Sequence, residues 1–510
     1  MMRKINHSRN SFIVLFLILF LAACKEDKED IEVFISDTEN YIAFDYFQTG
    51  IGLHRGIFLL NVTREGLESF QPVIHTNYQE LNIDGKMYSS GDRIDFSGKQ
   101  LSDSLYFTYR NNQGDIVDGY LYFTTLPVMQ IYTLENIPDE PKIDCEISLC
   151  DHYIEGGESV TFSAGIEYRG RTAAIHPKQS FAIEIRQGSG AASSGLSLLG
   201  MREDDDWILD AMYIDKARMR NKLSMDLWRD ICLESANEKI HGKPYAAYEY
   251  VELFLNYEYM GIYALGESID PKQLNLNPTA NISDVLLYKT EVWTVSTRFE
   301  ELVDTNTSAF WDGWVQVMPD PEEFVYWQAP YNFTDLVING SDDEFEEQIV
   351  KYLDIDNLID YHIFINTCKA YDNMGTNMFY ARPSIDDPFI IYPWDLDASW
   401  GRNWDSTILS SGVIIGNPYY GRLIELDVDH FTGRMASRWS ELRSTLISHE
   451  LLFNRVKDNA SALIESGSMC RESSKWPEMN LDLDAELNYM DEWIEERIKY
   501  LDEYYNNLPN

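Results

Sequence analysis

The sequence predicts an α+β protein in which a small all-β region precedes a larger mixed domain. Three observations carry this. From Tyr41 to about Leu126, short β-type runs are broken by Gly, Asn and Asp. From Pro127 onward strand-like and helical patterns mix. After about residue 350 the pattern is mostly helical. A chain of 510 residues allows two or three domains, and 45% hydrophobic and 13% aromatic residues are ample for real cores.

In the first region, Ile57–Val62, Ser104–Tyr109 and Gly119–Thr124 read as strands. Arg110-Asn-Asn-Gln-Gly-Asp115 separates two of them as a turn. About 90 residues of this kind suggest a small immunoglobulin-like sandwich. In the second, Leu126-Pro-Val-Met-Gln-Ile-Tyr132 reads as a strand start, and Val160–Ile166 and Ser180–Ile185 read as strands. Asp215–Asp230 reads as a helix, with Met219, Leu223 and Leu227 at helical spacing. Tyr248–Leu255 and Gly261–Leu265 form a hairpin around Asn256–Tyr259. Leu358–Thr367 is apolar at helical period, and Ile494, Ile498, Leu501 and Tyr505 share a helix face. No internal repeat is visible.

The N-terminus is a targeting signal. Arg3, Lys4 and Arg9 precede the apolar run Phe12–Leu21, which is too short to span a bilayer. Leu21-Ala-Ala-Cys24 resembles a bacterial lipoprotein signal, which would make Cys24 the lipidated first residue and residues 1–24 the signal peptide. The other reading is a plain signal peptide. Lys25-Glu26-Asp27 resembles the surface-export signal of Bacteroidetes lipoproteins. The expected location is therefore the bacterial outer membrane, surface-exposed, with the membrane reached through the lipid on Cys24. Residues 25–126 comprise a polar tether and the β module, and residues 127–508 the larger domain.

A net charge of −43 without a basic stripe argues against nucleic-acid binding. It does not argue against ATP, whose site needs only a few local cations and a metal. The cysteine spacing suggests no zinc site. A Cys145–Cys150 disulfide is one reading in an oxidising compartment, and buried thiols are the other.

The chemistry concentrates at Asp372-Asn-Met-Gly-Thr-Asn377 and Tyr392-Pro-Trp-Asp395-Leu-Asp397. An Asp five residues before an Asn, followed by Asp residues after an apolar strand, is the order found in phosphoryl-transfer enzymes. Mg²⁺ takes hard oxygen ligands, which Asn377, Asp395 and Asp397 supply. Asp372 can orient and accept the proton of a substrate hydroxyl. Lys178 offers a point charge for phosphate, and Arg169 is a surface charge or a phosphate contact. Asp395 and Asp397 could also be the D-x-D pair of a glycosyltransferase, a structural Ca²⁺ site, or a helix cap. Tyr392, Trp394, Trp400 and Trp404 read as core.

In order along residues 127–505, several segments resemble the CotH family of secreted atypical kinases. They are Tyr168-Arg-Gly-Arg171, Pro177-Lys-Gln-Ser-Phe181, Trp207, Arg220-Asn-Lys-Leu223, Val251–Asn256, Gly261-Ile-Tyr263, Glu267, Leu287-Tyr-Lys289, Asp372–Asn377, Pro393–Asp397, Trp400-Gly401, Arg438-Trp439 and Leu442-Arg443. The β module lies outside the resemblance. The resemblance implies a bilobal, kinase-like domain that uses ATP and Mg²⁺ or Mn²⁺ to phosphorylate protein hydroxyls on Ser or Thr. It implies Asp372 as the catalytic-loop Asp, Asn377 and Asp395 as metal ligands with Asp397 beside them, and Lys178 as the phosphate lysine. Two features depart from a typical site: Arg169-Gly-Arg171 carries a single glycine, and Gln179 follows Lys178 where a second Lys is common. Glu252 and Glu267 are the candidates for the acid that orients Lys178. The alternative function is a non-catalytic surface module that binds or scaffolds.

Overall fold

The computed structural model describes residues 42–44, 56–110, 114–151, 159–170, 175–186, 195–235, 237, 242–279 and 281–508. The signal segment with Cys24, and Arg171, lie outside them.

The N-terminal region is built on two β-sheets, as its short β-type runs predict. A five-stranded sheet runs in the order Ile57–Asn61, Ile116–Thr124, Ser104–Arg110, Gln79–Ile83, Lys86–Tyr88. A two-stranded sheet of Ile42–Phe44 and Ile74–Thr76 shares its core, through contacts such as Phe44 on Phe96 and Phe96 on Phe123.

The larger domain begins with a closed seven-stranded barrel. Its order is Ser159–Arg169, Ser180–Arg186, Asp206–Asp210, Glu258–Glu267, Tyr248–Leu255, Val128–Tyr132, Ile143–Cys150. Ile131, Ile147, Ile183, Trp207, Leu253 and Tyr263 fill it. The hairpin Tyr248–Leu255/Glu258–Glu267 turns at Asn256 and Tyr257, both at positive φ, the twist that a two-residue hairpin loop requires. Cys145 and Cys150 are buried on one strand, Ile143–Cys150. Five residues of strand hold them roughly 17 Å apart, well beyond the reach of a disulfide, so the disulfide reading is corrected.

A second sheet follows, ordered Phe310–Trp311, Trp314–Met318, Leu286–Thr290, Met378–Arg382, Ile390–Pro393. Its last two strands interrupt the helical half. Around it pack Gln328–Asn339, Asp342–Tyr352, Ile355–Cys368 and the C-terminal helices from Pro418–Leu426 to Leu483–Asn506. Ile355–Cys368 is buried on nearly every face, which makes it the central rod of this half. No described helix is long and apolar enough to cross a membrane.

One predicted helix moves. Arg220–Glu234 begins five residues later than its apolar spacing suggests. The Asp215 carboxylate accepts the backbone N–H groups of Ala217, Met219 and Arg220, and so holds a turn there instead of a helical first turn.

Candidate active site

The site forms where the second sheet ends. Met378 pairs with Pro393 across the last hairpin, so the residues just beyond them, Asn377 and Asp395, emerge side by side. Both adopt left-handed φ, 57° and 52°, which turns each chain out of its strand. The Trp394 N–H still donates to the Asn377 carbonyl at 2.9 Å, and the Asn377 N–H donates to Thr290 at 2.8 Å. Three neighbouring strands are thereby locked at one edge. Lys289, opposite Phe379 in the register, lies at the same edge.

Asp372 reaches this edge from the helical side. Helix Ile355–Cys368 stops at Lys369 in the left-handed conformation, and a short 3₁₀ turn, Asp372–Met374, follows. Asn373 is buried, and its side-chain amide donates to the carbonyls of Asn377 at 2.7 Å and Trp394 at 2.8 Å. Tyr361 donates to the Asn373 carbonyl at 2.9 Å. Asn373 thus clamps the Asp372 turn onto the strand ends that carry Asn377 and Asp395.

The carboxylates lie in a recess that water enters but protein walls crowd. Asp395 is open to solvent, whereas Asp372 and Asp397 are partly covered. Crowding raises the Asp372 carboxyl to about 6, with the Asp395 charge adding to it. Loss of hydration also raises Asp395; Arg169 and Lys289 oppose this, and Asp210 reinforces it. Asp397 is pushed well above the usual carboxylate range by burial and then by Asp395, Asp210, Asp215 and Asp372. Arg169 stacks on the Trp394 ring at 5.3 Å, and Lys289 pairs with Glu291 at 3.2 Å. Tyr392, Trp394 and Trp400 are core as expected, but Trp404 is 53% exposed.

Lys178 stands apart from this edge. Its ammonium is fully enclosed, 2.7 Å from Glu472, bonded to the Ile262 carbonyl and 4.6 Å from the Tyr263 ring centre. The assignment of its acidic partner to Glu252 or Glu267 is corrected. Glu252 binds Arg471 at 2.5 Å and Tyr259 at 2.5 Å. Glu267 binds Lys243 at 2.6 Å and the N–H groups of Arg202 and Ala247, both at 2.9 Å. Both are buried carboxylates already engaged by other groups, Glu252 by Arg471 of the same helix that carries Glu472. Glu472 comes from helix Ser468–Lys475, which no local spacing connects to Lys178. Sequence reasoning also passed over Asn373 and Asp210; Lys289 stood within a family-like segment but received no role.

Among the described residues, no three His, Cys, Asp or Glu side chains form a ready metal-binding group. The donors fit a cation nonetheless. Asp395 and Asp397 are crowded carboxylates with no hydrogen bond drawn from a described side chain, and Asn377 adds an amide oxygen beside them. A nucleotide-bound Mg²⁺ needs only one or two carboxylates, with phosphate and water completing its shell.

Oxygen donors, two accessible cations and an oriented Asp at one sheet edge define a site suited to phosphoryl groups. The CotH kinase protein family model matches residues 166–501, about two thirds of the chain, so the chain belongs to that family. It is similar to the inner spore coat protein H of Bacillus subtilis (strain 168), with 25% identity over 238 residues, 47% of this chain and 59% of that protein. The match therefore spans little more than half of the relative's length. Family membership supports kinase-like function with nucleotide and metal use in general terms.

Proposed function

We propose that the chain is an ATP- and divalent-metal-dependent protein kinase acting on Ser or Thr hydroxyls. In this reading the polar tether and Cys24 anchor it to the bacterial outer membrane, facing outward. The observation that carries the catalytic part is the Asn373 clamp, which brings Asp372, Asn377 and Asp395 to one edge.

In this reading Asp372 receives the proton of the acceptor hydroxyl. Its raised carboxyl, near 6, is a stronger base than an ordinary Asp yet stays largely ionised at neutral pH. Asp395, Asp397 and Asn377 would hold Mg²⁺ or Mn²⁺, which supplies charge neutralisation at the phosphates when bound. Arg169 and Lys289, whose charges act on Asp395, take the phosphate contacts. Lys178, enclosed by Glu472, supports the barrel wall behind them. A positioned proton acceptor contributes roughly 10²–10⁴-fold to rate.

The burial of Lys178 favours a second reading, a non-catalytic surface module that binds or scaffolds. Calorimetric titration with ATP in Mg²⁺ or Mn²⁺ decides between them, with Asp395→Ala as control. Metal-dependent binding lost in the variant is the expected result. A folded protein that binds ATP with neither metal sinks the kinase reading.

A further inference from the structure

Helix Arg220–Glu234 opens beside the site, and its second residue, Asn221, is 5% exposed. The Asn221 amide uses both ends. Its nitrogen donates to the Asp210 carboxylate at 3.0 Å. Its oxygen accepts the backbone N–H of Leu396 at 3.1 Å. Leu396 is the residue between Asp395 and Asp397. Asp210 ends a barrel strand, Asp206–Asp210, and its other oxygen accepts the Met212 N–H at 2.9 Å. The neighbouring Arg220 donates to the Ser399 carbonyl at 3.0 Å, so the same loop is held at a second point.

We infer that Asn221 is a positioning residue for the metal-binding loop, tying the barrel carboxylate Asp210 to the peptide between Asp395 and Asp397. This deepens the kinase reading and rests on it. The two aspartates sit on a loop that has just left its strand at a left-handed residue, so the hairpin alone does not fix their rotation about the chain. A backbone N–H clamped at Leu396 fixes it from the opposite side. A buried amide suits this task because it donates and accepts at once, whereas Asp or Leu at 221 would satisfy only one partner or neither.

The same link brings a third carboxylate to the recess. Asp210 is half-buried, and its two protein donors leave lone pairs free on both oxygens. Its charge bears on both aspartates of the loop, Asp395 and Asp397. A carboxylate held there strengthens the attraction of the recess for a divalent cation.

The test is Mn²⁺ binding, followed by loss of the free-ion paramagnetic resonance signal, with and without ATP. The purified protein is compared with Asn221→Ala and Asp210→Asn, and thermal unfolding is recorded alongside. Both variants are expected to weaken Mn²⁺ binding about tenfold while unfolding cooperatively. If the unaltered protein takes up no Mn²⁺ with or without ATP, the kinase reading itself fails. If it binds, and both variants bind within twofold of it, the positioning role is overturned. Should Asn221→Ala not fold, Asp210→Asn, at a half-exposed strand end, carries the test alone.

Discussion

The Lys178 ammonium and the Glu472 carboxylate lie 2.7 Å apart with no solvent access to either side chain. Glu472 also accepts Arg218 at 2.8 Å and the Ile262 N–H at 2.8 Å. One carboxylate therefore compensates two buried cations and joins helix Ser468–Lys475 to the barrel. Burial pushes Lys178 down to about 8, and Glu472 resists that shift.

Replacing Glu472 by Ala strands both cations. Removing one partner of a buried pair costs about 3–5 kcal/mol. Urea unfolding of Glu472→Ala should show a loss of that size. A loss below about 1 kcal/mol would mean that water enters the barrel wall and replaces the carboxylate.

Asp372→Asn should separate function from stability. The folded Asp372 carboxyl, at about 6, lies above the ordinary value of 3.8. The native state thus binds more protons than the unfolded chain between those values, and stability falls as pH rises through that window. The neutral amide escapes this cost. Asp372→Asn should be more stable than the parent by on the order of 1 kcal/mol at pH 7.5, with the gain shrinking toward pH 4. Phosphotransfer should drop roughly 10²–10⁴-fold. Thermal scans across pH, paired with phosphate transfer from labelled ATP, check both halves. A variant less stable at pH 7.5 than at pH 4 relative to the parent would show that Asp372 is not crowded.

Much of this site was legible because its pieces are local. Asp372 and Asn377 share one loop, and Asp395 follows directly on an apolar strand, so spacing alone could associate them. The Asn373 clamp was not legible, because nothing in a string distinguishes a buried Asn from a loop Asn. The Lys178 partner was hidden by separation along the chain: Glu252 and Glu267 were plausible from their hairpin, yet Glu252 is taken by Arg471 and Glu267 by Lys243, Arg202 and Ala247. The helix at Arg220 was found but misplaced, since apolar spacing cannot reveal that Asp215 captures the preceding N–H groups. Asp210 looked like the end of an ordinary strand until the barrel closed and turned it toward the Asp395 loop.

His362 predicts acid sensitivity in the helical half. It is buried, its Nδ1 lies 3.0 Å from the Tyr505 hydroxyl, and Tyr420 and Tyr504 pack near its ring. Burial, reinforced by Arg497, lowers it to about 3. The unfolded chain binds a proton near 6.5 that the native state refuses, so stability should be lost as pH falls from about 6.5 toward 3. In His362→Phe the slope of stability against pH over that range should be shallower than in the parent. Equal slopes in urea titrations would assign the acid loss to carboxylates elsewhere.

The N-terminal β module also bears on the larger domain. Arg471, next to Glu472, holds Glu252 through two hydrogen bonds, at 2.8 and 2.5 Å, and its guanidinium lies 5.5 Å from the centre of the Tyr122 ring in the module. Arg64 of the module pairs with Glu465 at 2.8 Å, just before the same helix. Leu59 and Val128 pack with Phe254 and Tyr259 to close the junction. The module therefore rests on the helix that supplies the partner of Lys178. The Arg64–Glu465 pair is exposed and should contribute little, about 0–1 kcal/mol. The Tyr122 contact is partly covered and should contribute about 0.5–2 kcal/mol. Tyr122→Ala should lower the unfolding midpoint measurably, whereas Arg64→Ala should leave it nearly unchanged. Tyr122→Ala should also speed hydrogen exchange in helix Ser468–Lys475, although the substituted residue lies in the other domain. If exchange in that helix matches the parent while the midpoint falls, the contact stabilises the module alone and has no bearing on the Lys178 pair.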